Sequence, residues 1–548
     1  MMNKFAMGLD FGTESVRAVL ADITSGKIVA QAAVTYPHGV ITRQLPTAQG
    51  AELPPDYALQ HPVDWLDAAG QASQAALKQA GIKPEQVIGV GVDFTSCTML
   101  PSKADGTPLA LSDEFAATPL AWPKLWKHHA AKAETDRFNE IARQRNEPWL
   151  ARYGGQIGLE WFFPKILETL NQAPQVYDAT DVWLEAGDWF VWQLTSGPFP
   201  KCDASKLARS TCQAGYKACW NAETGYPSRE FFAAVHPAMA DVATKKMPGQ
   251  LTAPGQRAGA LTDAAATLLG LNPGTPVSAA IIDAHAGVPG AGVAGAGALV
   301  LVMGTSSCHM LNGDTESLAP GIAGVVADGI LPGFFGYETG QASVGDAFAW
   351  LSQTVGVSHA ELNQRAERLG PGSGGVLALD WLNGCRTPLM DGRLSGAFVG
   401  VTLGTQPEQL YRALLEATAF GVRWIVEVLR QGNVPVTRFV ASGGLPAKSP
   451  LLMQIYADVL GAEIHLAESD QSVALGAAIL GCLAAGPEIT GYAKSADAIA
   501  AMARQRKDLV YKPSPEAHQA YSDFYGIYRT LAAPTGPLAQ AMVKLRQY

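Results

Sequence analysis

The sequence predicts an α/β protein of two lobes around a cleft, on three observations. The 548 residues are 48% hydrophobic and only 16% charged, which supplies ample core and excludes a disordered chain, a coiled coil or a small disulfide-stapled domain. Apolar runs of strand length alternate with stretches of helical periodicity, as in sheets covered by helices. A phrase of strand, glycine, hydroxyl and strand opens the chain, GLDFGTESVRAVL, and returns in the second half as VLVMGTSSCHML. At roughly 150 residues per domain the length equally admits three or four units or two large lobes with insertions.

In chain order, residues 5–10 read as a strand, 12–14 as a tight turn, and 16–22 and 28–35 as the next strands of a meander. Residues 61–80 have helical periodicity through Trp65, Ala68, Ala69, Ala72, Ala76 and Leu77, and 87–94 read as an apolar strand. The tract 113–154 concentrates histidine and charge, and with helices at 159–170 and 182–194 it reads as an inserted cap. A new β-rich section starts at 298–303 and continues through 308–311. A long helix follows at 410–429, then a strand at 436–441 and helices at 450–460 and 471–483, the last built of small residues that permit close packing. The lobe boundary falls near 260–297, where Gly and Pro are dense.

The formal charge of −9, with 49 acidic and 40 basic side chains in no long block, leaves no footprint for nucleic acid. Seven cysteines without a CxxC pair point to reduced thiols in the cytoplasm rather than a disulfide or zinc framework. The start, MMNKFAMGLDFG, meets Asp10 and Gly12 before a secretory apolar region can form. Residues 284–303 have the length of a membrane span but are rich in Ala, Gly and Pro, with Asp283 immediately before them, so no membrane helix is expected. A homodimer is compatible with the pattern, although periodicity does not separate its surface from core.

The chemistry concentrates at strand ends. Asp10 closes the first strand, and Gly12 opens a turn whose amides and Thr13 hydroxyl can face an anion; such a carboxylate can position magnesium, usually through water. Gly304, Thr305 and Ser306 offer the same arrangement, and two opposed turns can hold a polyphosphate. In SAAIIDAHAGVPGAG, Asp283 leaves an apolar strand end as either a helix cap or a base for an alcohol proton. His285 and His309 read as hydrogen-bonded packing rather than metal ligands. Gly290, Gly292 and Gly295 satisfy GxGxxG, with Asp314 further on, but no clean strand enters an apolar helix there, which disfavours a nicotinamide oxidoreductase. No GxxxxGK[ST] is present, so ATP would be held by a geometry other than a P-loop.

Across roughly residues 5 to 535 the chain resembles the FGGY carbohydrate kinases, through GLDFGTESVRAVL, GVDFTSCTML, EWFFPK, EAGDW, CQAGYKACW, IIDAH, MGTSSCHM, YETGQASVGD and ASGGLPAKSPLLMQIYADV. The resemblance implies two ribonuclease-H-like, actin/hexokinase-like lobes with mixed central sheets flanking a cleft. Residues 1–285 would form a sugar-binding lobe with insertions, and 286–548 a nucleotide-binding lobe. It implies phosphorylation of L-ribulose at its 5-hydroxyl, a step of L-arabinose catabolism, with ATP and Mg²⁺. Asp10, Gly12 and Thr13 then fall in the first phosphate motif, Gly304 and Thr305 in the second, Asp283 at the base position, and Gly443, Gly444 and Lys448 in the adenosine motif. Many members carry Asn where Ser449 stands here. Ser96, Cys97, Lys217, Asp283 and Glu338 map onto the sugar site. Lys165 is expected in a buried ion pair near the cap, and Trp126, His128 and His129 either line the sugar pocket or pack. The alternatives are a kinase for D-ribulose, D-xylulose or ribitol, and a nucleotide-responsive binding protein without transfer; a missing base or phosphate turn would mark the latter, and neither is missing.

Overall fold

The computed structural model describes residues 3–47 and 50–546. Its first sheet is built from β1 (Phe5–Phe11), β2 (Ser15–Asp22), β3 (Ile28–Thr35), β4 (Val87–Phe94), β5 (Arg257–Ala260), β6 (Pro276–Ser278) and β7 (Ile281–Ile282). The spatial order is β3, β2, β1, β4, β6, β5, and β7 pairs the end of β4. The meander β1 to β3 is antiparallel, whereas β4 runs parallel to β1 and sets Asp93 beside Asp10.

The second sheet repeats this plan with β8 (Ala298–Met303), β9 (Ser307–Gly313), β10 (Gly324–Ala327), β11 (Phe335–Gln341), β12 (Arg438–Ser442), β13 (Ile464–Ala467) and β14 (Gln505–Tyr511). Its order is β10, β11, β9, β8, β12, β13, β14, with an antiparallel hairpin β8–β9 and with β12 parallel to β8. The predicted two-lobed α/β class with mixed sheets is the observed one.

Four helices matter for the site: α1 (Pro62–Ala80), α2 (Asp283–Gly290), α3 (Pro407–Gln431) and α4 (Ser472–Ala484). Helix α4 stands in sequence between β13 and β14 of the second sheet, yet it lies on the first sheet. A Cβ at Gly8, Gly89 or Gly91 would come within 2.1, 2.1 and 1.8 Å of the carbonyl oxygens of Ala474, Gly481 and Ala477. Helix against strand at that range leaves room for hydrogen only, which is why glycine recurs on β1 and β4. The crossing with α2 is equally close, because a Cβ at Gly476 would sit 1.8 Å from the oxygen of Ala286. Around this contact one apolar cluster joins both lobes, from Ala6 and Val19 through Ile282 and Ala286 to Val300, Met310, Val440 and Ile479. The cap has a core of its own around Phe138, Trp149, Trp161, Phe163 and Phe231.

Several expectations shift. The predicted helix 182–194 is a strand, Val182–Glu185, followed by a helix, Ala186–Thr195; the strand pairs with Met99–Ser102, and pairing of a Val-Trp-Leu run prevails over helical spacing. The expected helix 159–170 begins at Phe162. Residues 284–303 comprise most of α2, a connection and β8. Among the described residues no single helix is long and apolar enough to cross a membrane. All seven cysteines are free thiols.

Candidate active site

Three carboxylates stand at the carboxyl ends of neighbouring strands of the first sheet, where open α/β sheets bind ligands. Asp10 is near the end of β1, Asp93 is its register partner on β4, and Asp283 follows β7 as the first residue of α2. Asp10 accepts a hydrogen bond from Arg17 at 3.3 Å. Asp93 is fully buried, and neither of its oxygens has a donor partner among the described residues. Burial, then the charges of Asp10 and Asp283, push the Asp93 carboxyl well above the usual carboxylate range. The Asp283 carboxylate accepts the N–H of Ala284 at 2.7 Å. Burial raises its pKa to about 7 against that hydrogen bond, and the Asp10 and Glu338 charges add to the rise.

The two turns are anchored differently. The Gly12 N–H donates to the Ser15 carbonyl at 2.9 Å, and its own carbonyl accepts the Tyr36 hydroxyl at 3.2 Å. The Thr13 carbonyl accepts from Gln60 at 2.8 Å and its hydroxyl from the Trp126 indole at 3.0 Å. Trp126 therefore braces the first turn in this structure. In the second turn the Gly304 N–H donates to the Ser306 carbonyl, while the Gly304 and Thr305 carbonyls accept from Val344, Gly345 and Asp346 at the start of the next helix. A Cβ at Gly12 would meet nothing closer than 3.4 Å, and one at Gly304 nothing closer than 3.9 Å. Gly443 is of another kind: its φ is +94° and a Cβ there would lie 2.4 Å from the Met303 carbonyl, immediately before Gly304. Gly444 opens the short helix Gly444–Lys448, and Lys448 is exposed at its end. Ser449 caps the following helix by accepting the Leu452 N–H and donates to the Asn363 side-chain oxygen at 3.0 Å. A cavity of about 700 Å³ opens on the Pro446 and Ala447 side of the short helix, walled by residues including Glu468, Asp470, Arg504 and Lys507.

Lys217 and Glu338 come together from opposite lobes. Lys217, at the end of Thr211–Lys217, donates to both Glu338 oxygens at 3.0 and 2.8 Å, and both side chains are 4% exposed. Burial disfavours each charge, but their mutual attraction prevails, holding Lys217 above and Glu338 below their ordinary values. Their charges are thus matched to each other before any sugar is considered. His309 bonds Ser307 at 2.9 Å and packs hydrogen-bonded as expected; His285 packs against the Tyr216 ring 3.6 Å from Glu338, but among the described residues neither of its ring nitrogens has a hydrogen-bond partner, which corrects the expectation for it, and burial lowers both histidines to about 3.

Lys165 departs from expectation: instead of an ion pair, its ammonium donates to the carbonyls of Cys97 and Leu125 at 2.7 and 2.9 Å. Lysine reaches two inward-facing carbonyls that a carboxylate could not serve. It braces the turn at Cys97, whose φ is +57°, next to half-buried Ser96. His128 is a buried partner of Glu168 at 2.8 Å, away from solvent. Elsewhere His38, His61 and Asp64 cluster, but the imidazoles stack at 4.4 Å and 13°, so one ion cannot lie in both ring planes.

Asp93 went unnoticed in the sequence, although the phrase GLDF of β1 returns in β4 as GVDF. The carboxylates of Asp10 and Asp93, one 16% exposed and one unpartnered, suit a hard cation with oxygen ligands, and the cradle at Gly443 suits a flat group brought close to backbone.

Comparison with known proteins agrees with this geometry. Residues 5–290 match the N-terminal domain and 299–485 the C-terminal domain of the FGGY family of carbohydrate kinases. The ribulokinases of Geobacillus thermodenitrificans and Anoxybacillus flavithermus are each 47% identical over 544 residues, covering 97% of this chain and 94% of theirs. In fold, the crystal structure of a xylulose kinase from Rhodospirillum rubrum superposes with a TM-score of 0.74 at 23% identity, over 96% of this chain and 99% of that one. Fold and paired turns are those of a two-lobed phosphotransferase acting on carbohydrate. The chain belongs to the FGGY family of carbohydrate kinases.

Proposed function

We propose that the protein transfers the γ-phosphoryl group of ATP to the 5-hydroxyl of L-ribulose, giving L-ribulose 5-phosphate and ADP. The observation that carries the mechanism is Asp283, a carboxylate held near pH 7 at a strand end beside both lobes' hairpins, able to take a proton at neutral pH. The substrate follows from the ribulokinase relatives, which match over nearly the whole chain. Asp283 accepts the hydroxyl proton while the oxygen bonds to the γ-phosphorus, and the bond from that phosphorus to the bridging oxygen of ADP breaks. The turns Gly12–Thr13 and Gly304–Thr305 face the phosphate chain through the Thr13 and Thr305 amides, since those of Gly12 and Gly304 bond within their own hairpins, and Gly443, Gly444 and Lys448 face the adenosine. Asp10, with Asp93 behind it, would hold Mg²⁺, which supplies charge neutralisation at the phosphoryl oxygens when bound. Ser96, Cys97, Lys217 and Glu338 form the sugar wall, the last two as a preassembled pair offering lone pairs and N–H donors to hydroxyls.

In the same reading, residues 1–285 bind sugar and 286–548 bind nucleotide, and the enzyme works in the cytoplasm. The test is coupled ADP release with ATP and Mg²⁺ against L-ribulose, D-ribulose, D-xylulose, L-xylulose, ribitol and glycerol. The highest kcat/KM is expected for L-ribulose; a preference for another member rejects the substrate, and sugar-independent ADP release rejects the transfer.

A further inference from the structure

One half-buried cation near this site has no role in the reading above. Arg386 lies in the loop between the short strands Leu377–Leu379 and Ala397–Val399. Its neighbour Thr387 holds the loop to β11 through two hydrogen bonds, the Thr387 N–H to the Gly340 carbonyl at 3.1 Å and the Gly340 N–H to the Thr387 hydroxyl at 3.3 Å. Gly340 leaves space for the guanidinium, since a Cβ there would stand 3.1 Å from Arg386 Nη1. A rigid loop therefore presents Arg386 two residues along β11 from Glu338.

A guanidinium has five N–H donors and normally satisfies them on carboxylates when it leaves bulk water. The side-chain partner of Arg386 is the Cys308 thiol, at a long 3.6 Å, and among the described residues no carboxylate forms an ion pair with it. Cys308 stands on β9 just beyond the second turn, and its thiol feels the charges of Arg386, Glu338 and Asp283 together. The cation thus lies at the junction of the second phosphate turn, the buried ion pair and the base, with most of its fork unspent. Lys217 is already matched by Glu338, while Arg386 feels the charges of Glu338 and Glu160 without an ion pair to either, so the positive charge without a bonded carboxylate at this junction belongs to Arg386.

We propose that Arg386 is a further substrate-contacting residue, whose fork takes the oxygens of the phosphoryl group where it arrives on the sugar. It discriminates the phosphorylated sugar from the free one. This rests on the kinase reading and assigns the receiving end of the transfer to a residue of the second lobe. An alternative duty, hydrogen bonding to the neutral keto oxygen, would affect free and phosphorylated sugar alike.

The test is calorimetric titration of L-ribulose and, separately, L-ribulose 5-phosphate into wild type, Arg386→Gln and Arg386→Lys, without nucleotide. Loss of charge-assisted hydrogen bonds is expected to weaken sugar phosphate binding by about tenfold or more in Arg386→Gln, with free-sugar affinity held within about twofold. Arg386→Lys, which keeps the charge but not the fork, should fall between. Equal weakening of both ligands, or no change for the phosphate, overturns the proposal. Arg386→Lys keeps the test decisive if Arg386→Gln unfolds. If wild type releases no ADP with any pentulose, the kinase reading fails, and that outcome is separate from any difference between the variants.

Discussion

The two hairpins at the mouth of the site share a topology and differ in charge. Aligned on Gly12 and Gly304, Asp10 of β1 corresponds to Val302 of β8, and Asp93, the parallel partner of Asp10, corresponds to Ser442, the parallel partner of Val302. One copy of the plan places two carboxyls side by side; the other places a valine and a serine and follows the serine with Gly443. The same backbone thus carries an acidic end in one lobe and an uncharged, glycine-opened end in the other, and one residue of each hairpin with one of its parallel neighbour strand makes the difference. The glycines divide as well. Those of the turns have room for a methyl group, whereas Gly443 has none.

The sharpest way to break this picture is at the base. Asp283→Asn should lower kcat by about 10²- to 10⁴-fold with ADP affinity nearly unchanged by calorimetry, and near-normal turnover would remove Asp283 from the chemistry. Next comes the pair that ties the lobes. Lys217→Met leaves Glu338 buried without its main partner and should cost about 3–5 kcal/mol in denaturant unfolding, whereas Lys217→Met with Glu338→Gln should recover part of it. Equal losses in the single and double variants would mean that the pair is not coupled.

The glycine comparison predicts a split of about 1–3 kcal/mol. Gly443→Ala should lose that much stability through its left-handed φ and its contact with Met303, while Gly12→Ala and Gly304→Ala should unfold like the parent and raise the KM for ATP. Unfolding losses in all three would make the turn glycines structural. The last test concerns pH. Below about pH 4 Asp283 is protonated in folded and unfolded chains and contributes no difference; between about 4 and 7 the unfolded chain loses this proton while burial keeps it on the folded one, so stability falls across that window and the full penalty stands above about 7. Asp283→Asn should therefore be more stable than the parent above pH 7, by up to about 4 kcal/mol, and equal to it near pH 4. The parent's kcat/KM should show an acid limb near pH 7 that the variant lacks.

Much of this was legible in the chain because strand ends announce themselves. Apolar runs that stop at Asp10, Phe94, Asp283 and Met303 mark the sheet edges where chemistry collects, and the repeated glycine and hydroxyl turns marked the two lobes. Strands such as β11 were illegible, since FGYETGQ carries two glycines and a glutamate that read as loop until β9 and β10 flank it. Asp93 was hidden because one carboxyl in an apolar strand acquires meaning only from its register with Asp10. Arg386 and the pairing of Lys217 with Glu338 depend on residues more than a hundred positions apart or on an irregular loop, which no local period encodes.

The seating of α4 on bare strands has a practical consequence. A gene cut between the two family halves, after residue 290, would yield a first product whose glycine strip lies open to water, and a second whose helix of small residues has lost its bed. Neither fragment would stay in solution by itself. Only co-expression would let the helix find its strip, so the two family halves fold as one unit despite the two-part plan.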